Sequence, residues 1–473
     1  MLRVFDYVIL GAGAAGFSAA VKLSELTGDK AGVALVNGGV LGGTCVNVGC
    51  IPSKYLIEAA KLYHGGRRRL GPVEVSTRVD FRFLMHSLRE AVKTLRAEKY
   101  EKILQHYAGV EVINGRAEFT GPDTIKIEHG GDVLEVRAGK GILIATGSRP
   151  HPPPIPGLDK TSYLDSDKIW GLEEQPGSML ILGGGAIGVE IGQAMQRLGT
   201  EVTLVEVLDR ILPAAEPEIS SELLAALREE GMDVRIKTRV VEVWQGNGVK
   251  KARLMSNKGE EEITVDEVLI ATGRRANTDS LHLEKAGVDV DERGFIKVDS
   301  MMRTSNPKIF AAGDVVAKNL MLETLSAREG VIAAINMTGG EAEMDYSVVP
   351  VVTFTEPQAA SVGLTEAEAM QRYRACACRV IHVKDLAKAG ITGEARGLAK
   401  LVIHPETKEI LGFHTLSPHA SEYILAAAEA LRRRATVYDL LDMVHVFPAY
   451  SEALKLSAVA FLRPLSLMPC CME

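Results

Sequence analysis

Two cysteines, Cys45 and Cys50, stand in the stretch GGTCVNVGCIPSK at 42–54 with four residues between them. Residues 53–63 (SKYLIEAAKLY) have helical character, which puts the pair at or just inside a helix start. There the peptide dipoles favour negative charge and lower the pKa of a thiol. Two thiols this close can cycle between disulfide and dithiol. A structural bridge or half of a zinc site is the competing use. The spacing is wrong for a zinc knuckle, and no second pair lies nearby in the sequence. Spacing alone leaves the redox and structural roles open, and the flanking segments decide between them.

Residues 5–10 (FDYVIL) read as a buried parallel strand. Gly11-x-Gly13-x-x-Gly16 follows, with Ala14 inside it, and opens an apolar helix to about Leu26. A second strand at 33–36 completes a βαβ start. In such a unit the first glycine allows a tight turn, the second lets a pyrophosphate approach the backbone, and the third lets helix pack on strand. The acidic residue expected at the end of the second strand is Asn37. Its neutral amide can still bond ribose hydroxyls, without the charge-assisted contribution.

Residues 80–107 predict a solvated helix, and 109–137 a small β-meander. A strand at 142–148 (ILIATGS) runs into Ala-Thr-Gly, a turn suited to a backbone closing over a nucleotide. The stiff run HPPPIPG at 151–157 marks a boundary. A second βαβ then begins with Gly183-x-Gly185-x-x-Gly188 inside 179–199, and its next strand, 201–205, ends at Glu206. A carboxylate there accepts from a free ribose 2′-hydroxyl and repels a 2′-phosphate, which favours NADH over NADPH; Arg210 nearby softens that preference. Residues 269–278 repeat the strand-to-ATG device and close the insert. Two such folds suggest two different dinucleotides. Residues 304–315 add a strand and a Gly-Asp turn ending at Asp314, and from about 346 an antiparallel α+β pattern takes over.

The chain has 473 residues, enough for two to four domains, with 46% hydrophobic and 24% charged residues. A net charge of −7 gives no basic field for nucleic acid. Forty-six glycines suit close backbone approaches, and six cysteines are too sparse for a disulfide scaffold. The apolar N-terminal run is broken by Asp6 and carries the first glycine motif, so no signal peptide is expected. No apolar run is long enough to span a membrane, and a cytoplasmic location is expected.

Together these motifs resemble the flavin-dependent pyridine nucleotide–disulfide oxidoreductases over essentially the whole length. The resemblance implies an α/β fold: an FAD-binding domain at 1–150 and 277–345, an NAD(P)H-binding domain at 151–276 and a C-terminal α+β dimerisation domain at 346–473. It implies a homodimer with active sites between chains, and electron flow from nicotinamide to flavin to the Cys45–Cys50 disulfide. Cys50 would be the flavin-side thiolate and Cys45 the interchange thiol, with Lys54 and Glu190 paired beside the flavin. Implied dinucleotide contacts are Gly11, Gly13, Ala14, Gly16, Asn37, Gly43, Thr44, Lys54, Ala117, Thr146, Gly147, Gly313 and Asp314. Those of the second fold are Gly183, Gly185, Ile187, Gly188, Glu206 and Gly273.

Disulfide-reducing members carry a His-Pro near the C-terminus, followed by Glu, with the His as acid–base. Here HVFPAYSEALK at 445–455 keeps Pro448 and Glu452 but has Phe447 at the His position. His445, two residues earlier, would point the same way on an extended segment and reads as a displaced base or, more simply, as structural. The chain ends MPCCME, with Cys470 and Cys471 adjacent, a compact clamp for a soft metal. The lost His, VNVGCIPSK and the terminal pair resemble the mercuric reductase branch. That resemblance implies Hg(II), supplied as a thiol complex, captured by Cys470 and Cys471 of one subunit and passed to Cys45 and Cys50 of the other. Tyr163 and Tyr450 match tyrosines flanking the metal in that branch. The alternatives are a dihydrolipoamide dehydrogenase-type disulfide reductase, suggested by LVEVLDRIL at 204–212, and a thiol protein that sequesters metal without turnover. Cys376 and Cys378 would share one face of an extended segment, where packing is the simpler role.

Overall fold

The computed structural model describes residues 2–65, 73–246, 248–318 and 320–465. The first segment runs β1 (Leu2–Leu10), α1 (Ala14–Thr27), β2 (Val33–Asn37), α2 (Gly43–Val48), α3 (Cys50–Gly65) and α4 (Phe81–Arg96). A π-helical turn at Ala97–Glu101 leads to α5 (Lys102–Leu104), then β3 (Val110–Asn114), β4 (Arg116–Phe119), β5 (Thr124–His129), β6 (Asp132–Ile144) and β7 (Ser148–Pro150). The sheet order is β3-β2-β1-β6-β5-β4. β1 lies between β2 and β6, parallel to both. Val8, Ile9 and Leu10 are buried, as a strand covered on both faces requires. Fully burying such a side chain contributes about 1.5–3 kcal/mol.

The meander expected at 109–137 is only partly present. β4, β5 and β6 form it, but β3 pairs in parallel with β2, Val33 against Val110 through Asn37 against Asn114. The alternation of VEVIN suits a half-exposed edge strand of either direction, so pattern alone could not set its partner. The helix expected over 80–107 runs over 81–104 with a π-helical turn inside it. Asp80 caps its start, accepting from the Phe83 N–H.

The insert comprises β8 (Leu164–Asp165), β9 (Ser178–Leu182), α6 (Ala186–Leu198), β10 (Glu201–Val205), α7 (Pro217–Glu229) and β11 (Asp233–Arg235). It continues with β12 (Arg239–Gly246), β13 (Val249–Ser256), β14 (Gly259–Val265), β15 (Glu267–Ile270) and β16 (Arg274–Ala276). Its parallel sheet has the order β11-β10-β9-β15-β8, beside the antiparallel β12-β13-β14. The chain enters and leaves through one antiparallel ribbon, β7 with β16. After α8 (Leu283–Ala286), β17 (Ile309–Ala311) returns to the first sheet beside β6, and α9 (Glu323–Met337) packs on α1. A Cβ on Gly330 would lie 2.1 Å from the Ala15 oxygen, so only glycine permits this approach.

The last unit runs β18 (Val351–Thr353), β19 (Gln358–Gly363), α10 (Glu366–Tyr373), β20 (Ala377–His382), α11 (Ala387–Thr392), β21 (Leu398–Ile403) and β22 (Ile410–Ser417). It ends in α12 (Ala420–Arg432), α13 (Val437–Leu441) and α14 (Glu452–Val459). Its antiparallel sheet, β18-β19-β22-β21-β20, packs helices around Phe413, Tyr423 and Leu454. The architecture is thus α/β with two doubly wound dinucleotide-type sheets and a C-terminal α+β unit. Among the described residues, no helix is long and apolar enough to cross a membrane.

Candidate active site

Gly42, at φ 91°, turns the chain into α2, and Gly49 separates α2 from α3. A Cβ on Gly49 would lie 3.0 Å from the Thr44 oxygen, so the reversal is made in one residue. The cysteines therefore bracket a break between two short-linked helices rather than sharing one helix start. Cys45 lies within α2, and Cys50 is the first residue of α3. Both are free thiols, hydrogen-bonded to each other. The Cys45 hydrogen bond holds Cys50 below the ordinary thiol range; burial opposes this and the Lys54 ammonium assists it. Cys45 is pushed far up, first by that hydrogen bond and then by burial. The pair is therefore biased to lose its first proton from Cys50 and to keep one on Cys45, the asymmetry a nucleophile and its exchange partner need.

Lys54 sits one helical turn after Cys50. Its Nζ lies 2.7 Å from Glu190 Oε2 on α6 and 4.4 Å from the centroid of the Phe354 ring. Glu190 is buried, and its Oε1 accepts from the Phe354 N–H at 2.7 Å. One ion pair thus ties α3, the insert and the C-terminal unit together. Two further groups reach the cysteines. Glu323, the first residue of α9, raises both thiol pKa values by its charge. Tyr100, in the π-turn, is pushed up to about 12 by burial and then by Glu323, Cys45 and Cys50. Tyr100 stacks edge-on against Phe17 of α1 at 4.8 Å. Neither residue carried a sequence signal, because each arrives from a distant segment.

The first glycine loop begins at Gly11, φ 112°, where a Cβ would lie 2.2 Å from the Ala145 oxygen. A Cβ on Gly16 would lie 1.8 Å from the Gly11 oxygen. Gly13 is the N-cap of α1 with no side-chain cap, so the first-turn amides, including those of Ala14 and Gly16, have no side-chain acceptor. Gly43 closes on this loop: its Cβ would lie 2.6 Å from Gly13 Cα, and the Gly42 N–H bonds the Ala12 oxygen at 2.9 Å. Thr44 follows in α2. The insert repeats the device. A Cβ on Gly183 would meet the Ala271 oxygen at 2.4 Å, one on Gly188 the Gly183 oxygen at 2.0 Å, and Gly185 caps α6 without a side chain. Ile187 lies in the first turn of α6. These bare helix starts fit an anionic pyrophosphate.

Asn37 is buried; its Nδ2 donates to the Gly39 oxygen at 2.9 Å and to Asn114 Oδ1 at 3.2 Å. Glu206 is buried with Oε2 accepting from the Gly184 N–H at 2.7 Å and Oε1 from the Leu208 N–H at 2.8 Å. Each oxygen retains a lone pair for a further donor. Arg210 Nη2 is occupied by the Pro213 oxygen at 2.9 Å. Thr146 and Asn277 exchange two hydrogen bonds of 2.9 Å, joining the turn at Gly147 to the far side of the insert. Gly273, φ 125°, makes the corresponding turn before β16. Gly313 donates its N–H to Glu329 Oε2 at 2.7 Å, and Asp314 Oδ2 accepts from Ser148 Oγ at 2.8 Å. Ala117 lies on β4, packed at the edge of the core under that sheet.

The tyrosines lie apart. Tyr163 packs beside Leu158 and Val243 in the insert, with Lys168 Nζ 4.4 Å from its ring centroid. Tyr450 is buried in the C-terminal unit, its hydroxyl 2.5 Å from Thr392 Oγ1 and donating to the Glu394 oxygen at 3.1 Å. His445 turns its Nε2 to the Leu440 oxygen at 2.8 Å, in keeping with a structural role. Phe447 is exposed, as are Val444 and Val446. Glu452 Oε2 accepts from the Ala449 N–H at 3.2 Å, and burial raises its pKa. Cys470 and Cys471 lie outside the described residues.

Residues 5–330 match the pyridine nucleotide–disulphide oxidoreductase family, and 349–458 match its dimerisation domain. A mercuric reductase of Streptomyces lividans is 38% identical over 99% of this chain and 98% of its own length. A dihydrolipoyl dehydrogenase of Thermus scotoductus is 37% identical over 97% of this chain and 98% of its own length. The Cu(II) complex of the HOCl-induced flavoprotein disulfide reductase RclA from Escherichia coli superposes with a TM-score of 0.86 at 28% identity, covering 97% of this chain and 99% of that one. The family is FAD- and NAD(P)H-dependent, and both glycine loops fall within the first matched range. The chain belongs to the pyridine nucleotide–disulphide oxidoreductase family.

Proposed function

We propose that the protein is a mercury(II) reductase, reducing Hg(II) to Hg(0) with NAD(P)H. The observation that carries this is a hydrogen-bonded pair of free cysteines, Cys50 and Cys45, in a chain that offers no imidazole at the family's acid–base position. Phe447 stands there, and the ring of His445 is held on its own backbone. Disulfide substrates need a proton for the leaving thiol; a thiolate-bound soft cation does not. The mercuric reductases among the relatives support the same reading.

In this mechanism Cys470 and Cys471 of one subunit of a homodimer take Hg(II) from solution thiols. Cys50 and Cys45 of the other subunit then displace them, one thiolate for another, and Cys45 loses its proton as it binds. FAD, held on the Gly11–Gly16 loop and by Asn37, Gly43, Thr44, Ala117, Thr146, Gly147, Gly313 and Asp314, would supply two electrons derived from the nicotinamide. Lys54, oriented by Glu190, favours the anionic form of Cys50 and would place a positive charge beside the flavin. Gly183, Gly185, Ile187, Gly188, Glu206 and Gly273 would hold the nicotinamide dinucleotide, with Glu206 favouring NADH. Tyr163 and Tyr450 would flank the metal in the assembled dimer. Phe447 keeps the pocket free of a competing imidazole ligand.

The test is NADH oxidation by the flavin-loaded protein with thiol-complexed Hg(II) or lipoamide, with mercury vapour collected. Mercury-dependent oxidation and release of Hg(0) are expected, with lipoamide at least about tenfold slower. Brisk lipoamide turnover with mercury left divalent would overturn the proposal. That outcome belongs to the second reading, a dihydrolipoamide dehydrogenase-type reductase, which the Thermus relative favours. Replacing Cys470 and Cys471 by Ala should impair turnover of thiol-complexed mercury while leaving flavin reduction by NADH intact.

A further inference from the structure

A second thiol cluster lies in the C-terminal unit. Cys376, just before the edge strand β20, and Cys378, inside it, place their Sγ atoms 3.7 Å apart. Glu366, which opens α10, brings a carboxylate oxygen so that the three ligand atoms lie within 4.8 Å of one another. Both cysteines are free and rest against Ala369, Val402 and Leu411, while the Glu366 side chain is 47% exposed. One side of the cluster is therefore apolar and fixed, and the other is open.

The two sulfurs are unbonded at this separation. A tetrahedral metal fits it well. Two metal–sulfur bonds of about 2.3 Å spanning 3.7 Å enclose an angle of about 107°. A linear two-thiolate complex with such bonds needs sulfurs about 4.6 Å apart. The surrounding charge also favours a cation. Lys400 Nζ lies 3.0, 2.8 and 2.7 Å from Glu216, Glu218 and Glu366, so three carboxylates face one ammonium.

We propose that Cys376, Cys378 and Glu366 form a metal site, distinct from the redox pair, that takes Zn(II) in tetrahedral coordination with water as the fourth ligand. On binding, two S–H bonds break, two sulfur–metal bonds form and two protons pass to solvent; nothing is oxidised or reduced. Both sulfurs bind the metal as thiolates, so protons compete with it and affinity falls as pH falls. Occupancy draws on Glu366, whose other partner Lys400 bonds Glu216 and Glu218 at the start of the insert's helix α7. The site thus touches the tie between the insert and the C-terminal unit.

The test uses flavin-loaded protein with Cys45, Cys50, Cys470 and Cys471 all replaced by Ala, titrated anaerobically with Co(II) and then Zn(II). Tetrahedral ligand-field bands to the red of the flavin should saturate at one cobalt per chain and vanish on adding Zn(II). Cys376→Ser and Cys378→Ser, tested separately, should each abolish them. Glu366→Gln should weaken binding about tenfold or more while keeping the sulfur-to-cobalt absorbance. In the otherwise native enzyme, Cys376→Ser, which lies outside the strand ladder, should leave NADH oxidation unchanged. Absence of the bands in the parent, or their persistence in both serine variants, would overturn the proposal.

Discussion

The two glycine loops repeat one pattern of backbone hydrogen bonds. The Gly11 N–H bonds the Val36 oxygen at 2.8 Å, and the Gly183 N–H bonds the Val205 oxygen at 2.9 Å. Ala145 and Ala271 each donate to the end of the neighbouring strand at 2.8 Å. They differ in what lies over them. Gly13 is covered by Gly43 and the start of α2, whereas a Cβ on Gly185 would meet no atom within 4 Å. They also differ at the end of the second strand, neutral Asn37 against anionic Glu206. The start of α2 would shut in a ligand on the first loop, and the open second loop would let one exchange.

The largest effect should come from closing the first loop with a methyl group. Gly43→Ala places a Cβ 2.6 Å from Gly13 Cα at φ 66°, where non-glycine backbone costs about 1–3 kcal/mol before any clash. Purified variant should carry less than about a tenth of the wild-type flavin, read from its absorbance. Next is Glu206→Ala, which strips two amides of a charged acceptor worth about 1.5–3 kcal/mol each. KM for NADH should rise about tenfold or more and the NADH-to-NADPH preference should shrink, with flavin content unchanged. A smaller change is expected from Lys54→Met, which breaks the ion pair joining the helices behind the two loops. The Cys50 pKa should rise, so its alkylation rate at a fixed pH below that value should drop several-fold. Smallest is Gly185→Ala: full flavin, an unaltered melting temperature, and KM for NADH raised a few-fold. Flavin loss in this last variant would erase the distinction between covered and open loops.

Much of this contrast was legible in the spelling of the chain. Glycine positions are dictated by hard sterics, so GxGxxG between a strand and a helix carries its geometry with it. The Lys54–Glu190 pair spans two domains, yet the motifs around each residue located it. The cover of Gly43 on Gly13 was not legible, since nothing in GGTC states what it lies against. Tyr100 and Glu323 were invisible for the same reason: they meet the cysteines only after α1, α4 and α9 have packed. The parallel partner of β3 was misassigned because an alternating strand of five residues fits either direction. Tyr163 and Tyr450 occupy separate units of one chain, and the contacts proposed for them belong to the dimer.

The paired strands β7 and β16 make the insert a cassette. Its two ends leave the parent sheet side by side, Pro150 opposite Arg274, so the whole unit can be exchanged for another of its kind without reopening the host. Beyond that ribbon, a transplanted cassette would have to bring a carboxylate at the position of Glu190, because Lys54 waits for it on the host side. Exchanging the insert therefore turns on that ribbon and on the carboxylates, Glu190, Glu216 and Glu218, that it offers to Lys54 and Lys400.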